Sequence, residues 1–284
     1  MDQHAALLAR IAAALEAIAP KPPPPLDLTG AEAFVWRAGA RAGEGAARPV
    51  AHPSRIPLDL ILGADRQRDA LLANTLRFAT GAPANNALLW GSRGTGKSAL
   101  VKAVHADVAK RHPLLKLIEL SRDDLGRLGD LMARIEDQPA RVILFIDDLT
   151  FEKDDDGLRA LKPVLEGGVA GRPVNALVYA TSNRRHLVAR DPRENAPDDL
   201  LWADTAEERL SLADRFGLWL GFHATDQDLY LAIVNAYAQR FGLVAPDLDA
   251  RALAWSRQRG ARSGRTAWQF ILALAAELDR PVEF

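Results

Sequence analysis

The sequence contains no cysteine among its 284 residues. This absence excludes disulfide bonds, thiolate zinc sites, cysteine-ligated iron–sulfur clusters and a cysteine nucleophile. The six histidines are scattered along the chain, without the close pair that histidine metal ligation uses. Metal chemistry that relies on sulfur or histidine ligands is therefore not expected.

An excess of charge of either sign is also missing. The chain has 36 basic and 37 acidic residues and a formal net charge of −1. This balance gives no overall attraction to nucleic acid or anionic lipid, although it leaves room for a local patch. No apolar run approaches the ~20 residues that a bilayer span needs, and the N-terminus lacks the basic start of a signal peptide. We expect a soluble, cytoplasmic protein without a membrane partner.

Residues 1–55 have the pattern of an N-terminal helical appendage with a proline-rich linker. The linker is the stretch Ala19–Pro25, and residues 38–48 resemble a loose connector rich in alanine and glycine. The helix before it carries an apolar stripe of Leu8, Ile11, Leu15 and Ile18. Such a stripe predicts a helix that docks on its own protein or, alternatively, one that mediates self-association or partner binding.

Residues 56–223 alternate between short apolar runs and helical stretches. The runs predict five buried strands, at 87–90, 114–120, 142–146, 176–180 and 218–222. This alternation is typical of an α/β fold in which a parallel five-stranded sheet has helices on both faces, a three-layer αβα sandwich. Residues 224–284 instead predict consecutive helices, at 226–240, 247–258 and 264–279, and hence a small all-helical domain.

The strongest motif is a glycine-rich loop that reads Gly-Ser-Arg-Gly-Thr-Gly-Lys-Ser, at residues 91–98. It matches the phosphate-binding P-loop, and it follows a predicted strand and precedes a predicted helix as that motif requires. Glycines allow backbone N–H groups to surround phosphate oxygens, and the helix N-terminus favours negative charge. The expected cofactors are ATP or ADP and Mg²⁺: we expect Lys97 to contact the β- and γ-phosphates of ATP and Ser98 to coordinate Mg²⁺. The loop residues expected at the nucleotide are Gly91, Ser92, Arg93, Gly94, Thr95, Gly96, Lys97, Ser98 and Ala99.

Polar side chains follow two further predicted strands. Asp147 and Asp148 come directly after the apolar run 142–146, where the first acid can reach Mg²⁺ and the second can polarise an attacking water. The side chain of Asp148 is one methylene shorter than that of the glutamate that commonly polarises the attacking water in this class of enzyme. Asn183 follows the next strand and is placed to orient water at the γ-phosphate, or else it is an ordinary turn residue. A solvated turn is the alternative for the two acids.

Taken in order, these elements resemble the AAA+ ATPases. The segment Ile56–Gly63 is similar to the AAA+ lead-in that packs on adenine, which implies Ile61 and Leu62 as contacts. The stretches Ala180–Leu187 and Leu210–Leu220 more closely resemble a family of predicted bacterial AAA+ ATPases that is catalogued as a domain of unknown function. That likeness covers roughly residues 33–275, and the Asp-Asp pair fits that family.

The resemblance implies two arginine roles. In AAA+ proteins an arginine of the Arg-Phe type projects into the neighbouring subunit's nucleotide, which corresponds here to Arg215, with Arg209 as the second choice. A second arginine at the start of the last helix touches the phosphates of its own subunit, which corresponds to Arg265 rather than Arg262. Arg215 and Arg209 could alternatively form local surface ion pairs. A site shared between copies implies a homo-oligomer, in a ring or helix and possibly hexameric.

The work that such an ATPase performs is less defined by the sequence. The stretch 121–130 contains no aromatic residue where AAA+ unfoldases grip a polypeptide, which disfavours threading. A nucleotide-driven assembly or remodelling of an unidentified protein partner is the preferred hypothesis. The alternative is a DNA-associated loader or initiator-like ATPase, for which we see no helix-turn-helix and no basic tail. A kinase or GTPase is disfavoured because the guanine-reading Asn-Lys-x-Asp motif is missing.

Overall fold

The computed structural model describes residues 26–39, 43–149, 156–166, 172–183 and 214–283, together with Leu7, Arg10 and Ile11. Most of the predicted N-terminal helix and the proline-rich linker lie outside these residues. The described strands are β1 (Ala33–Arg37), β2 (Ala46–Pro49), β3 (Ala87–Gly91), β4 (Leu115–Leu120), β5 (Arg141–Ile146), β6 (Ala176–Ser182) and β7 (Leu218–Phe222). The described α-helices are α1 (Asp65–Ala79), α2 (Lys97–Ala109), α3 (Leu128–Glu136), α4 (Asp156–Glu166), α5 (Gln227–Phe241), α6 (Leu248–Gln258) and α7 (Gly264–Glu277).

These strands form one sheet in the order β2-β1-β4-β5-β6-β3-β7. Adjacent strands are parallel, except that β1 and β2 are antiparallel. The five central and C-terminal strands are those that the apolar runs predict. The α/β fold with a mostly parallel sheet is therefore confirmed.

The two faces of the sheet bury separate hydrophobic clusters. In β5, Leu144 and Ile146 belong to one cluster, while Ile143 and Phe145 belong to the other. All four side chains are at most 1% exposed. Because successive side chains of a strand point to opposite faces, a strand buried on both sides is continuously apolar, as β5 is.

The prediction of five strands is wrong, because β1 and β2 extend the sheet to seven. β1 pairs in parallel with β4, and Phe34 and Trp36 of β1 are almost fully buried. β2 spans residues that were expected to form a loose connector. It is an exposed edge strand of four residues ending in Pro49, so it has no apolar pattern that would reveal it.

Helices α5, α6 and α7 lie close to the predicted positions and pack around a hydrophobic cluster of their own. Tyr230 and Ile271 are completely buried in this cluster. Division of the chain at residues 55 and 223 into an appendage, a core and a helical domain stays a prediction. None of the helices in the described part of the chain has the length and apolar composition needed to cross a bilayer.

His105 makes the stability of this fold depend on pH. It lies on α2 and is 2% exposed, and its Nε2 atom has no hydrogen-bond partner. Burial lowers the pKa of His105 from 6.5 to about 4. Between these values the unfolded chain binds the proton and the folded protein does not, so stability falls as the pH drops through this window.

We expect the titration of His105 to lower the free energy of unfolding by about 2 kcal/mol between pH 7.5 and pH 5.0. The measurement is urea unfolding at both pH values for the wild type and His105→Leu. The change in packing affects both pH values equally, so the difference between the two proteins isolates the titration. If the two proteins differed in the free energy of unfolding by the same amount at pH 7.5 and pH 5.0, the lowered pKa of His105 would be contradicted.

Candidate functional site

The loop after β3 needs glycine for steric reasons. Gly91 has a φ of +136°, and a Cβ atom on it would lie 2.1 Å from the backbone oxygen of Phe222 in β7. Gly96 has a φ of +91° and is the N-cap residue of α2. A residue without a side chain fits both conformations. The loop can therefore bring its backbone N–H groups close to a phosphate at the N-terminus of α2.

Lys97 begins α2 and turns its ammonium group back into this loop. Its Nζ atom donates hydrogen bonds to the backbone oxygens of Gly91 at 2.9 Å and Ser92 at 2.7 Å, and to Oδ1 of Asn183 at 3.0 Å. The residue is 5% exposed. Burial lowers the pKa of Lys97, and the nearby charges of Asp147 and Asp148 oppose this shift. Among the described residues no carboxylate forms a direct ion pair with this ammonium.

Asp147 is held by two hydroxyl groups. Ser98 Oγ and Thr181 Oγ1 each donate a hydrogen bond of 2.6 Å to Asp147 Oδ1. Thr181 Oγ1 also accepts a hydrogen bond of 2.9 Å from the backbone N–H of Asp148. Thr181 thus fixes the turn that carries both acids, a role that the sequence analysis did not assign to it.

Asp148 has a backbone conformation that is unusual for a residue other than glycine. Its φ is +56°, in the left-handed region. Its carboxylate accepts a hydrogen bond from the Asn183 amide, and Arg93 Nη2 of the loop lies 3.7 Å from Asp148 Oδ2. Asp148 and Asn183 therefore contact each other directly, and the loop arginine lies beside them.

The register of the sheet explains why these residues meet. β6 lies between β3 and β5, with Trp90 opposite Ser182 and Ile146 opposite Ala180. The residues that follow these pairs leave the sheet at one edge, the carboxyl end of the parallel strands. Crevices at that edge are where ligands bind in open α/β sheets.

A cavity of about 1040 Å³ extends from this edge to the C-terminal helices. Its volume is in the upper range of ligand pockets. Ile61 and Leu62 line it, as do the predicted residues Asp147, Asp148, Asn183 and Arg265 and the whole loop from Arg93 to Ala99. Gly91 and Ser92, at the start of the loop, do not line the cavity. Four apolar or aromatic residues of the C-terminal helices, which no sequence motif singles out, also line it: Leu229, Ile233, Tyr237 and Trp268.

Helix α7 touches the loop directly. The backbone N–H of Gly264 donates a 3.1 Å hydrogen bond to the backbone oxygen of Gly94. Ser263 caps α7 by accepting a hydrogen bond from the N–H of Thr266. This arrangement places Arg265 in the lining of the cavity, whereas Arg262 does not line it.

Arg215 lies at the opposite edge of the sheet. β7 runs parallel to β3, with Leu218 opposite Ala87 and Phe222 opposite Gly91. Arg215 precedes Leu218, so the length of the strand, about 13 Å, separates it from the loop. Arg215 does not line the cavity of its own chain. Arg209 lies outside the described residues.

Residues 29–278 match the family described as "Protein of unknown function (DUF815)". The chain belongs to this family. No curated protein matches it. Among solved structures, the Orc1 protein of Aeropyrum pernix in complex with DNA has a TM-score of 0.55 and 16% sequence identity. The alignment covers 79% of this chain and 65% of that Orc1 chain.

Two further solved structures are similar at a lower level. The RuvB Holliday junction branch migration motor of Thermotoga maritima has a TM-score of 0.46 and 16% identity, with 78% of this chain and 72% of that chain covered. A HORMA:CdnC:Trip13 complex of E. coli MS115-1 has a TM-score of 0.46 and 16% identity, with 75% and 89% covered. The Orc1 likeness shows that this DUF815 member shares the fold of that protein.

Two signals in the DUF815 chain could have revealed the missed residues. Leu229, Ile233 and Tyr237 recur at every fourth position, which places them on one face of α5. Thr181 precedes the predicted Asn183 by two positions on β6. However, the register between β5 and β6 is needed to see that Thr181 reaches Asp147.

We expect Thr181→Val to lower the rate of nucleotide turnover by about 10- to 100-fold, because the turn that carries Asp147 and Asp148 loses two hydrogen bonds. Nucleotide affinity should change little, since Thr181 does not touch the Lys97 ammonium. Turnover and affinity are measured separately, by phosphate release and by calorimetry. Thr181→Ser retains the hydroxyl and should keep most of the activity. Equal turnover in both variants would contradict the role.

Proposed function

We propose that this chain is an ATPase that binds and hydrolyses ATP with Mg²⁺, and that an arginine of a second copy completes its site. We also propose that the protein uses the cycle of ATP binding and hydrolysis to assemble or remodel a protein partner. The observation that supports it most is the buried Lys97 ammonium, which lies beside the pair formed by Ser98 and Asp147. A triphosphate and a magnesium ion suit this arrangement for separate reasons.

The triphosphate suits Lys97 because of charge. The ammonium is buried among neutral oxygen acceptors, and its lowered pKa reflects that environment. A buried cation is costly unless an anion accompanies it. Phosphate oxygens at the loop would supply this charge, and the N-terminus of α2 would add its dipole.

The magnesium ion suits the oxygen atoms of Ser98 and Asp147. Magnesium is bound by one or two protein oxygens together with substrate phosphates and water. The ion would neutralise charge that develops on the transferred phosphoryl group. In the described structure the Ser98 hydroxyl donates to Asp147, so both oxygens already lie within 2.6 Å of each other.

Asp148 and Asn183 are proposed to act on the attacking water. The carboxylate accepts its proton, and the amide orients it. In this structure the Asp148 carboxylate accepts a hydrogen bond from Asn183 and lies 3.7 Å from Arg93 Nη2. Arg265, at the start of α7, is proposed to contact the phosphates from the helical side of the cavity.

Arg215 is proposed to act on the site of another copy. Arg215 lies near the amino ends of the parallel strands, whereas the glycine-rich loop of the same chain lies at their carboxyl ends. An arginine supplied from a neighbouring chain stabilises charge at the transferred phosphoryl group and contributes about 10³- to 10⁵-fold in rate. This role requires a homo-oligomer, which the proposal therefore includes.

The protein partner is proposed from what surrounds the site. After β4 the chain forms a 3₁₀ turn at Arg122–Arg127 that contains no aromatic residue. Threading of a polypeptide through an assembly of this protein is thus less supported than the assembly or remodelling of a protein partner. The second candidate is a DNA-associated ATPase. The Orc1 protein of similar fold is in complex with DNA, and an arginine-rich turn of this chain, described below, favours the same kind of partner.

We expect Lys97→Ala to lower ATP affinity by about 30-fold or more, because the phosphates lose a buried charge-assisted contact. Calorimetric titration with ATP and Mg²⁺ measures this. Lys110→Ala, which removes an exposed lysine just after the same helix, is the matched control and should bind as the wild type does. Unchanged affinity in Lys97→Ala would refute the site.

We expect a mixture of Lys97→Ala and Arg215→Ala chains to regain ATPase activity that neither variant has alone. Lys97→Ala leaves its arginine intact, and Arg215→Ala leaves its loop intact, so one interface in the mixed assembly is complete. Phosphate release measures the rate against the mixing ratio and against protein concentration.

The control for this mixture is Arg215→Ala combined with a chain that carries both substitutions, which should show no recovery. The wild-type rate per chain should also rise with concentration. If Arg215→Ala turned over like the wild type at every concentration, the arginine would have a structural role and the shared site would be refuted.

A further inference from the structure

The turn between α6 and α7 exposes three arginines within six residues. They are Arg257, Arg259 and Arg262, which we call the arginine turn. None of the three lines the nucleotide cavity. The proposed ATPase chemistry therefore leaves this charge unexplained.

The surrounding sequence concentrates positive charge at this place. Residues 250–276 contain five of the 36 basic residues and none of the 37 acidic ones, which leaves a formal charge of −6 for the rest of the chain. Arg251 forms an ion pair with Glu277. In the part of the chain that the structure describes, no carboxylate pairs with the three arginines of the turn. A near-neutral protein thus carries a local basic patch.

The backbone of the turn is ordered by its own hydrogen bonds. Gly260 has a φ of +63°, in the left-handed region, and its N–H donates to the backbone oxygen of Arg257 at 3.2 Å. The N–H of Ala261 donates to the backbone oxygen of Ser256 at 3.3 Å. These bonds close the C-terminus of α6. The arginines are therefore presented on a fixed loop, which lowers the entropy lost on binding.

One guanidinium is also positioned by an aromatic ring. Arg259 stacks on Trp255, with its Cζ atom 3.4 Å from the ring centroid. Stacking restrains the long side chain and leaves the N–H groups at its edge available for hydrogen bonds. This combination of fixed backbone and stacked arginine suits a planar or tetrahedral oxyanion.

We propose that the arginine turn binds the phosphodiester backbone of a nucleic acid. Guanidinium groups match phosphate geometry with paired N–H donors. Each strand of a duplex carries one negative charge per ~3.4 Å of the axis, so a short segment of one strand can engage three arginines that lie close together. Contacts of this kind carry affinity and little sequence preference.

The test is fluorescence anisotropy of the full chain with labelled 30-residue strands of single-stranded DNA, duplex DNA and RNA across a salt series. We expect Arg257→Gln/Arg259→Gln/Arg262→Gln to reduce the slope of log affinity against log salt by about 2 to 3. Affinity at 100 mM salt should fall about tenfold or more. Which strand binds best identifies the kind of nucleic acid.

A variant with the same change in net charge is the matched control. Arg66→Gln/Arg77→Gln/Arg111→Gln removes three exposed arginines from α1 and from the end of α2, away from the arginine turn. It should retain most of the affinity. Equal losses in the two triple variants, or no salt-dependent binding of any strand, would overturn the proposal. Binding of poly-glutamate with the same midpoint as the strands would also overturn it.

Two further variants keep the result interpretable. Arg262→Gln changes one exposed position outside the helices and should lower the slope by about 1 if the triple variant does not fold. Lys97→Ala distinguishes the two proposals, since this variant should lose ATP binding and still bind the nucleic-acid strands. Loss of strand binding in Lys97→Ala with intact binding in Arg262→Gln would place the contact elsewhere and refute the arginine turn.

Discussion

The buried ammonium of Lys97 is the constraint on which the rest of the site depends. A cation at this depth requires acceptors on every side, and they come from the loop after β3 and from Asn183 at the end of β6. The glycines are needed because the loop must curl tightly enough to offer those backbone oxygens. Asp147 lies close enough to favour the charged amine without pairing with it. The three N–H donors of the ammonium are thus engaged by neutral oxygens, and a phosphate that binds Lys97 would have to replace one of them.

Much of the site could be predicted because its residues follow from local pattern. The loop is a contiguous motif, and Asp147 and Asn183 each follow a buried apolar strand. Parallel strands place such positions at the same end of the sheet, and the strand order β5-β6-β3 makes them neighbours. The strand pattern was clear for β5 because both of its faces are buried, which leaves a continuous apolar run.

The rest depends on contacts that local pattern does not encode. β2 is exposed, and nothing in its four residues distinguishes it from a loop until β1 lies beside it. Thr181 is one polar residue among several at the end of β6, and only its position opposite the turn of Asp147 gives it a role. In the sequence, Arg257 falls in a predicted helix, and Arg262 is only the less favoured alternative to Arg265 for a phosphate contact. The exposure of the three arginines in the arginine turn, and the fact that none of them lines the cavity, become visible only in the fold.

Short contacts join the glycine-rich loop to Ser263 and Gly264, the two residues that directly follow Arg262 of the arginine turn. Gly94 has a φ of +77°, and a Cβ atom on it would lie 2.7 Å from Cβ of Ser263. Its backbone oxygen accepts from Gly264, and Ser263 follows directly after Arg262. Packing this close transmits displacement, because packed interfaces shift as units and deform little. The glycine-rich loop and the N-terminus of α7 therefore form one close-packed contact directly beside the arginine turn.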